Sequence, residues 1–195
     1  MKRYYMFRQN FRNSVIEIKP NKPYKEVEPF LVISSLTKLK DDVRFHVVKG
    51  KKWTDLIYYN EAAFIFFVSE RLINIFAPLM DISKSCYPIK FEENENTPTY
   101  YILYNVQQYT YVNPNSFFEK YEEVTYFYLP EGEIPPALFT IEETNMYIID
   151  EKTKNLIKKL KITNIAFEEI YALNSEEYEE WKILHAQHKP LIPRL

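Results

Sequence analysis

Ala62-Ala63-Phe64-Ile65-Phe66-Phe67-Val68-Ser69-Glu70-Arg71-Leu72-Ile73-Asn74-Ile75-Phe76 is the stretch that indicates the fold class. Its first half is apolar without alternation, which favours a strand covered on both faces. Ser69 then offers an N-cap oxygen, and Glu70 suits the positive end of a helix. The apolar residues that follow recur at helical spacing, at Leu72, Ile75 and Phe76. The stretch therefore predicts a strand that leads directly into a capped helix.

A second stretch near the end of the chain has the same order of features. Residues 146–149 predict a strand, Asp150 a cap, and Glu151 an acidic first turn. Each helix is followed by a returning strand, at 87–91 in the first case and 165–170 in the second. This match suggests two copies of one supersecondary element.

The remaining pattern predicts short strands and one more helix. Strands are expected at 14–18, 29–33, 43–48 and 124–129, and residues 100–112 alternate like paired strands with a bulge at 107–108. A final helix is expected to start at Asn174 or Ser175. We predict an α+β fold with a mixed or antiparallel sheet, two strand-helix-strand units and a C-terminal helix. Residues 1–195 are expected to form a single domain, with a β-rich N-terminal lobe (1–60) and a two-unit core (61–173).

Composition excludes several classes of protein. With a formal charge of −2, 46 % hydrophobic and 27 % charged residues, the chain is neither a disordered tail nor a fibrous repeat. It has no apolar run of about 18 residues, so we expect no transmembrane span. The N-terminus lacks the continuous apolar region of a secretory signal. Cys86 is the single cysteine, which fits the reducing cytoplasm.

No residue pattern indicates a catalytic or metal site. With only two glycines, the chain cannot build a glycine-rich phosphate loop, and no cofactor is expected. His185 and His188 could share a helix face, but histidine also suits the last turn of a helix. Cys86 has no neighbouring histidine to activate it, so a small apolar filler is the expected role. We accordingly expect a protein that is not an enzyme.

The charged residues favour a protein partner over nucleic acid. Basic residues cluster only at 49–52 and 158–161, which fit a turn and a solvated helix face. Acidic residues cluster at 92–95, 119–123 and 176–180. Acidic loops beside tyrosines suit a basic partner, because tyrosine gives rigid contact area and glutamate steers association.

Several segments together resemble the bacterial immunity proteins numbered eleven and forty-three among those of polymorphic toxin systems. The segments that carry the resemblance are Asp55-Leu56, Val68-Ser69-Glu70-Arg71-Leu72, Tyr87-Pro88-Ile89, Tyr100-Tyr101-Ile102-Leu103-Tyr104-Asn105-Val106, Leu138-Phe139, Ile148-Ile149-Asp150-Glu151 and Ile165-Ala166-Phe167-Glu168-Glu169. They cover roughly residues 53–171. In that family glycines typically join the second helix to its returning strand. Here the join is 161–164, with Asn164 as the candidate for a left-handed conformation.

The resemblance implies a cytoplasmic, non-enzymatic protein that binds and neutralises a cognate toxin. Nuclease toxins are often basic, which favours the acidic loops as the contact surface; neither nucleic acid nor membrane is expected as a partner. The predicted contact residues are Glu92, Glu93, Glu95, Tyr100, Tyr101, Glu119, Glu122 and Glu123. Asp55, Ser69 and Asn105 are expected to be structural. Two other functions stay open: a small carboxylate-dependent hydrolase, and a structural protein that associates with itself.

Overall fold

The computed structural model describes residues 2–10, 15–31, 38–59, 66–92, 97–104, 106–112, 125–142 and 147–187. Helices and strands are both present and the sheets are mixed, in agreement with the predicted α+β class. The helices are α1 (Tyr24–Leu31), α2 (Glu70–Phe76), α3 (Glu151–Lys159) and α4 (Ser175–Gln187). The strands are β1 (Lys2–Gln9), β2 (Glu17–Pro20), β3 (Phe45–Lys49), β4 (Leu56–Tyr59), β5 (Phe66–Ser69), β6 (Cys86–Pro88), β7 (Tyr100–Leu103), β8 (Gln108–Tyr109), β9 (Tyr111–Val112), β10 (Thr125–Tyr128), β11 (Thr140–Ile141), β12 (Tyr147–Ile149) and β13 (Ile165–Leu173).

Six of the described strands form one sheet that curls until its two edges meet. Their order is β3-β2-β4-β5-β7-β6. The chain leaving β6 then reaches the opposite edge, where the Phe45 N–H donates to the Lys90 carbonyl and the Glu92 N–H donates to the Phe45 carbonyl, both at 2.8 Å. We call this closed sheet the first barrel.

A second sheet closes in the same way. Its described strands have the order β12-β1-β13-β10-β9, and β8, which runs into β9, pairs with β11. Phe139, next to β11, exchanges two backbone hydrogen bonds of 2.8 and 3.1 Å with Ile148 of β12. We call this closed sheet the second barrel.

The two barrels have the same topology. In the first barrel β2 pairs antiparallel with β3 and parallel with β4. In the second barrel β8 and β9 together take the place of β2: β9 pairs antiparallel with β10, and β8 pairs parallel with β11. In each, the strands before and after the helix flank a strand that runs antiparallel to both: β7 between β5 and β6, and β1 between β12 and β13. The similarity between the two helix caps therefore extends over the described strands of both barrels.

The pairing registers give the equivalence residue by residue. Aligning the capping residues Ser69 and Asp150 aligns Phe45 with Phe127, since each lies at the same place in its ladder. In the same alignment Tyr100-Tyr101 of β7 are equivalent to Tyr4-Tyr5 of β1. Phe45 and Phe127 are both fully buried, so the equivalent side chains also have the same role in packing.

Strand β1 completes the second barrel from the other end of the chain. The first barrel takes its inner strand β7 from directly after β6, whereas the second takes β1 from before every other element. Residues 1–60 consequently do not form a lobe of their own: β1 belongs to the second barrel, and β2 to β4 belong to the first. The predicted boundary at residue 60 misses this because strand pairing, not chain order, groups the elements.

The buried apolar residues among those described form three clusters. The interior of the first barrel contains Ile18, Phe45 and Phe67, and that of the second contains Phe127 and Phe139. A third cluster lies between the barrels and is built from the outer faces of their strands together with α2 and α3. Successive residues of a strand point to opposite faces, so strands such as β5 serve a barrel interior and the shared cluster at once.

Helix starts agree with the predicted caps. The Leu72 N–H donates to Ser69 Oγ (3.3 Å), and the Thr153 N–H donates to Asp150 Oδ1 (2.7 Å). At α4 the cap is Asn174, one of the two predicted candidates: its side chain accepts from the Glu177 N–H at 2.9 Å, while the Glu177 carboxylate accepts from the Asn174 N–H. This reciprocal pair is a capping box.

Two local predictions need correction. The strand expected at 29–33 is wrong for its first residues, because residues 29–31 form the end of α1; the rest lies outside the described residues. The alternating residues of 100–112 do form strands, but these strands pair with other partners and not with one another. Asn164 has a φ of 65°, the left-handed conformation that was predicted.

The separate interiors of the barrels predict additive effects. Phe45→Leu and Phe127→Leu should each lower the free energy of unfolding by about 1–2 kcal/mol. Because the two rings belong to different clusters, the double variant should lose the sum to within about 0.5 kcal/mol in denaturant titrations. As a matched control, Phe127→Leu combined with Phe139→Leu should deviate from additivity, since those rings are 5.3 Å apart. Strong coupling between Phe45 and Phe127 would contradict two separate interiors.

Buried tyrosines predict a loss of stability in alkali. Burial raises the pKa of Tyr87 from 10.0 to about 12, and also raises the pKa values of Tyr100, Tyr109 and Tyr147. Above pH 10 the unfolded chain therefore loses protons that the folded protein keeps, so the free energy of unfolding falls as the pH rises from about 10 to 12. Denaturant titrations at several pH values should show this fall, and Tyr87→Phe should reduce its slope. A tyrosinate absorbance titration of the folded protein with every tyrosine near pH 10 would contradict the prediction.

Candidate functional site

A buried carboxylate, Asp55, links the two barrels. It directly precedes β4 and is 4 % exposed. Its Oδ1 accepts from Ser69 Oγ (2.7 Å), and its Oδ2 accepts from both the backbone N–H and the hydroxyl of Thr163 (2.8 Å each). Thr163 lies in the loop between α3 and β13, so these bonds cross from the first barrel to the second.

Arg71 supplies the charge that a buried carboxylate needs. Its Nη1 donates to Asp55 Oδ2 at 3.2 Å, and its Nη2 donates to the Leu160 carbonyl, just after α3, at 3.0 Å. Asn164 adds a further link, because its side-chain nitrogen donates to the Leu56 carbonyl at 2.7 Å. The network therefore ties the start of α2 to the loop that follows α3.

The carboxylate at the centre of this network has no counterpart in the second barrel. Since Leu56-Ile57 corresponds to Leu138-Phe139 in the strand register, the position equivalent to Asp55 is Ala137. The second barrel thus has a methyl group where the first has a carboxylate. The hydrogen bonds that Asp55 and Ser69 make inside the protein fit the prediction that both are structural; Asn105 lies outside the described residues.

A cleft of about 410 Å³ opens beside this network. Trp53, Glu70, Arg71, Thr99 and Tyr100 are among the residues that line it. Asp55 is poorly suited to general acid-base chemistry there, because four donors already occupy its two oxygens. The cleft is therefore better described as the outer side of a structural network.

Trp53 separates this cleft from a larger groove. The groove has a volume of about 700 Å³ and is lined by Arg44, His46, Val47, Trp53, Phe91, Glu92 and Thr97. The Trp53 ring meets Phe91 edge-on at 5.5 Å and lies 5.5 Å from Tyr100, so its position is fixed by aromatic neighbours. At the rim, the Glu92 carboxylate is 3.7 Å from His46 Nδ1, with both side chains about two-fifths exposed. We call this surface the barrel groove.

No family model, curated protein or solved structure matches the chain. The geometry of its own residues is accordingly what supports a function. Within the described part of the chain, no helix is both long and apolar enough to cross a membrane.

The predicted contact residues are distributed unevenly. Glu92 is exposed and lies in the barrel groove, and Tyr101 is partly exposed on β7. Tyr100 was predicted as a contact residue, but it is 1 % exposed and its hydroxyl donates to the Thr54 carbonyl. Its ring therefore packs in the core and offers a partner no contact area. The other five, Glu93, Glu95, Glu119, Glu122 and Glu123, lie outside the described residues.

Cys86, the residue considered as a nucleophile, is not among the residues that line the barrel groove. Cys86 packs against the cluster between the barrels, and burial raises the pKa of its thiol, which favours the unreactive protonated form. Among the residues described, no three histidine, cysteine or acidic side chains come together as metal ligands. His188 and the side chain of His185 lie outside the description.

Sequence reasoning missed the barrel groove itself. Its residues come from β3, from the segment before β4 and from the segment after β6, and only closure of the barrel brings these together. The available signal was Phe91-Glu92 at the end of a predicted strand, with Trp53 next to a basic turn. Neither feature identifies a groove without the sheet order.

Removal of Asp55 should destabilise the protein strongly. Asp55→Ala leaves the Arg71 guanidinium and both Thr163 donors without their acceptor, which should lower the free energy of unfolding by about 3 kcal/mol or more. The matched control is Asp41→Ala, which removes a fully exposed carboxylate 3.0 Å from Lys90 and should change the free energy of unfolding little. Equal effects of the two changes in denaturant titrations would argue against the network.

Proposed function

We propose that this protein is a non-enzymatic immunity protein that binds and neutralises a cognate toxin in the cytoplasm. The observation that carries the proposal is the barrel groove, an open surface with an aromatic floor at Trp53 and Phe91 and a carboxylate, Glu92, at its rim. The resemblance of residues 53–171 to immunity proteins points to the same function. The groove is the kind of surface on which a protein partner can bury an anchoring side chain.

The chemistry of the groove suits binding. Trp53 is held by rings on two sides, so a partner that contacts it loses little side-chain freedom in the process. A stable inhibitor complex needs an interface of about 1,600 Å², so the groove would form its centre and neighbouring surfaces would supply the rest. Glu92 would favour a basic toxin over an acidic one.

The hydrolase alternative has weaker support. It requires carboxylates that are free to exchange protons, and Asp55 uses both oxygens to accept hydrogen bonds inside the protein. Self-association remains the alternative that competes for the same surface, since an aromatic groove could also receive a second copy. The test below separates these functions.

Co-expression is the direct test of the proposal. The product of the gene adjacent and upstream should be toxic when expressed alone, and this protein should restore growth and be recovered with that product in a pull-down. Asp55→Ala serves as a control for folding, because loss of the fold should abolish rescue even though Asp55 does not contact the toxin. A harmless neighbour that does not bind would contradict the proposal and favour substrate screening instead.

A further inference from the structure

Helix α4 packs against the last residue of β10. Tyr178 of α4 stacks on Tyr128 of β10, with ring centroids 4.3 Å apart and an angle of 14° between the rings. Trp181 continues the stack at 5.5 Å and 8°, and the Tyr128 and Ser175 hydroxyls are 3.3 Å apart. A helix with an aromatic stripe therefore lies against the end of β10 in the second barrel.

The barrel groove is the corresponding surface of the first barrel. Because Phe127 corresponds to Phe45, Tyr128 corresponds to His46 and Leu129 to Val47. Leu129 is buried in the second barrel, whereas Val47 is 42 % exposed. Among the described residues no helix lies against His46 in the way that α4 lies against Tyr128.

One substitution between the barrels indicates the charge of what could cover this surface. Phe91 corresponds to Ala172, so Glu92 stands where the second barrel has Leu173, a buried apolar residue. Covering the Glu92 carboxylate would remove it from water, and a buried charge is costly unless an opposite charge accompanies it. His46 Nδ1, 3.7 Å away, is the nearest group that could offset this charge, so an occupant that brings its own cation to Glu92 is favoured over one that does not.

We propose that the toxin docks in the barrel groove, with an aromatic side chain on His46 as Tyr178 lies on Tyr128, and with a lysine or arginine against Glu92. This inference rests on the proposed function and names its surface. The occupant is a segment of the partner protein that is both aromatic and basic. Trp53 and Phe91 line the same groove, where an aromatic ring can also attract a cation.

Two adjacent valines provide a matched test. Val47 and Val48 lie on the same strand and are 42 % and 43 % exposed, but of the two only Val47 is among the residues that line the groove. Val47→Arg should weaken toxin binding by about 30-fold or more in calorimetric titrations, since it adds bulk and a repelling charge at the centre of the contact. Val48→Arg should change the affinity by no more than about threefold. If both variants unfold at the same temperature as the unaltered protein, a folding defect is excluded.

A second variant tests the predicted cation. Glu92→Gln should weaken binding by about threefold to tenfold and reduce its dependence on salt concentration, because it removes the charge and keeps the shape. If the unaltered protein binds the toxin and Val47→Arg binds as tightly as Val48→Arg, the groove assignment is overturned while the proposed function stands.

The remaining outcomes separate the alternatives. If the unaltered protein neither binds nor neutralises the toxin, the proposed function and the groove assignment both fail. If Val47→Arg instead disrupts a dimer seen by light scattering and leaves toxin affinity unchanged, the groove receives a second copy of this chain, and the assignment to the toxin is overturned.

Discussion

The pairing of β1 with both β12 and β13 is the constraint on which the second barrel depends. β1 hydrogen-bonds to a strand on each side, and its residues face two different clusters: Tyr4 and Met6 point into the second barrel, and Tyr5 points into the cluster between the barrels. Without β1, the strands on either side of α3 would each have an unpaired edge. The first barrel has the same requirement and meets it with β7, which follows locally along the chain.

The two barrels share a topology but differ in the side chains at several equivalent positions. Asp55 in the first barrel is Ala137 in the second, so one barrel holds the charged network that fastens it to the other. His46 stands where the second barrel has Tyr128, which lies against α4, and Glu92 stands where it has the buried Leu173. Comparison within one molecule thus separates what the common fold needs from what one barrel has in addition. The buried phenylalanines belong to the first category and the barrel groove to the second.

Much of the secondary structure could be predicted from local patterns, because capping residues and apolar periodicity act over a few residues. Ser69, Asp150 and Asn174 cap helices as expected, and Asn164 is left-handed. Strand β1 was missed because its central residues are buried on both faces and do not alternate. Tyr100 was misjudged for a related reason: exposure depends on which strands lie alongside. The barrel groove depends on contacts between distant segments, which no local pattern contains.

The position of β1 in the chain also separates the two barrels in time during synthesis. Every strand of the first barrel has been made once residue 103 has left the ribosome, so that barrel can close while the rest is still being translated. β1 is made before any of these strands, yet its partners β12 and β13 come last, so it must stay unpaired until nearly the whole chain exists. Pairing between such distant segments is slow. The protein therefore carries an exposed aromatic segment, Tyr4-Tyr5-Met6, through most of its translation, and this is the interval in which it is most open to mispairing and to chaperones.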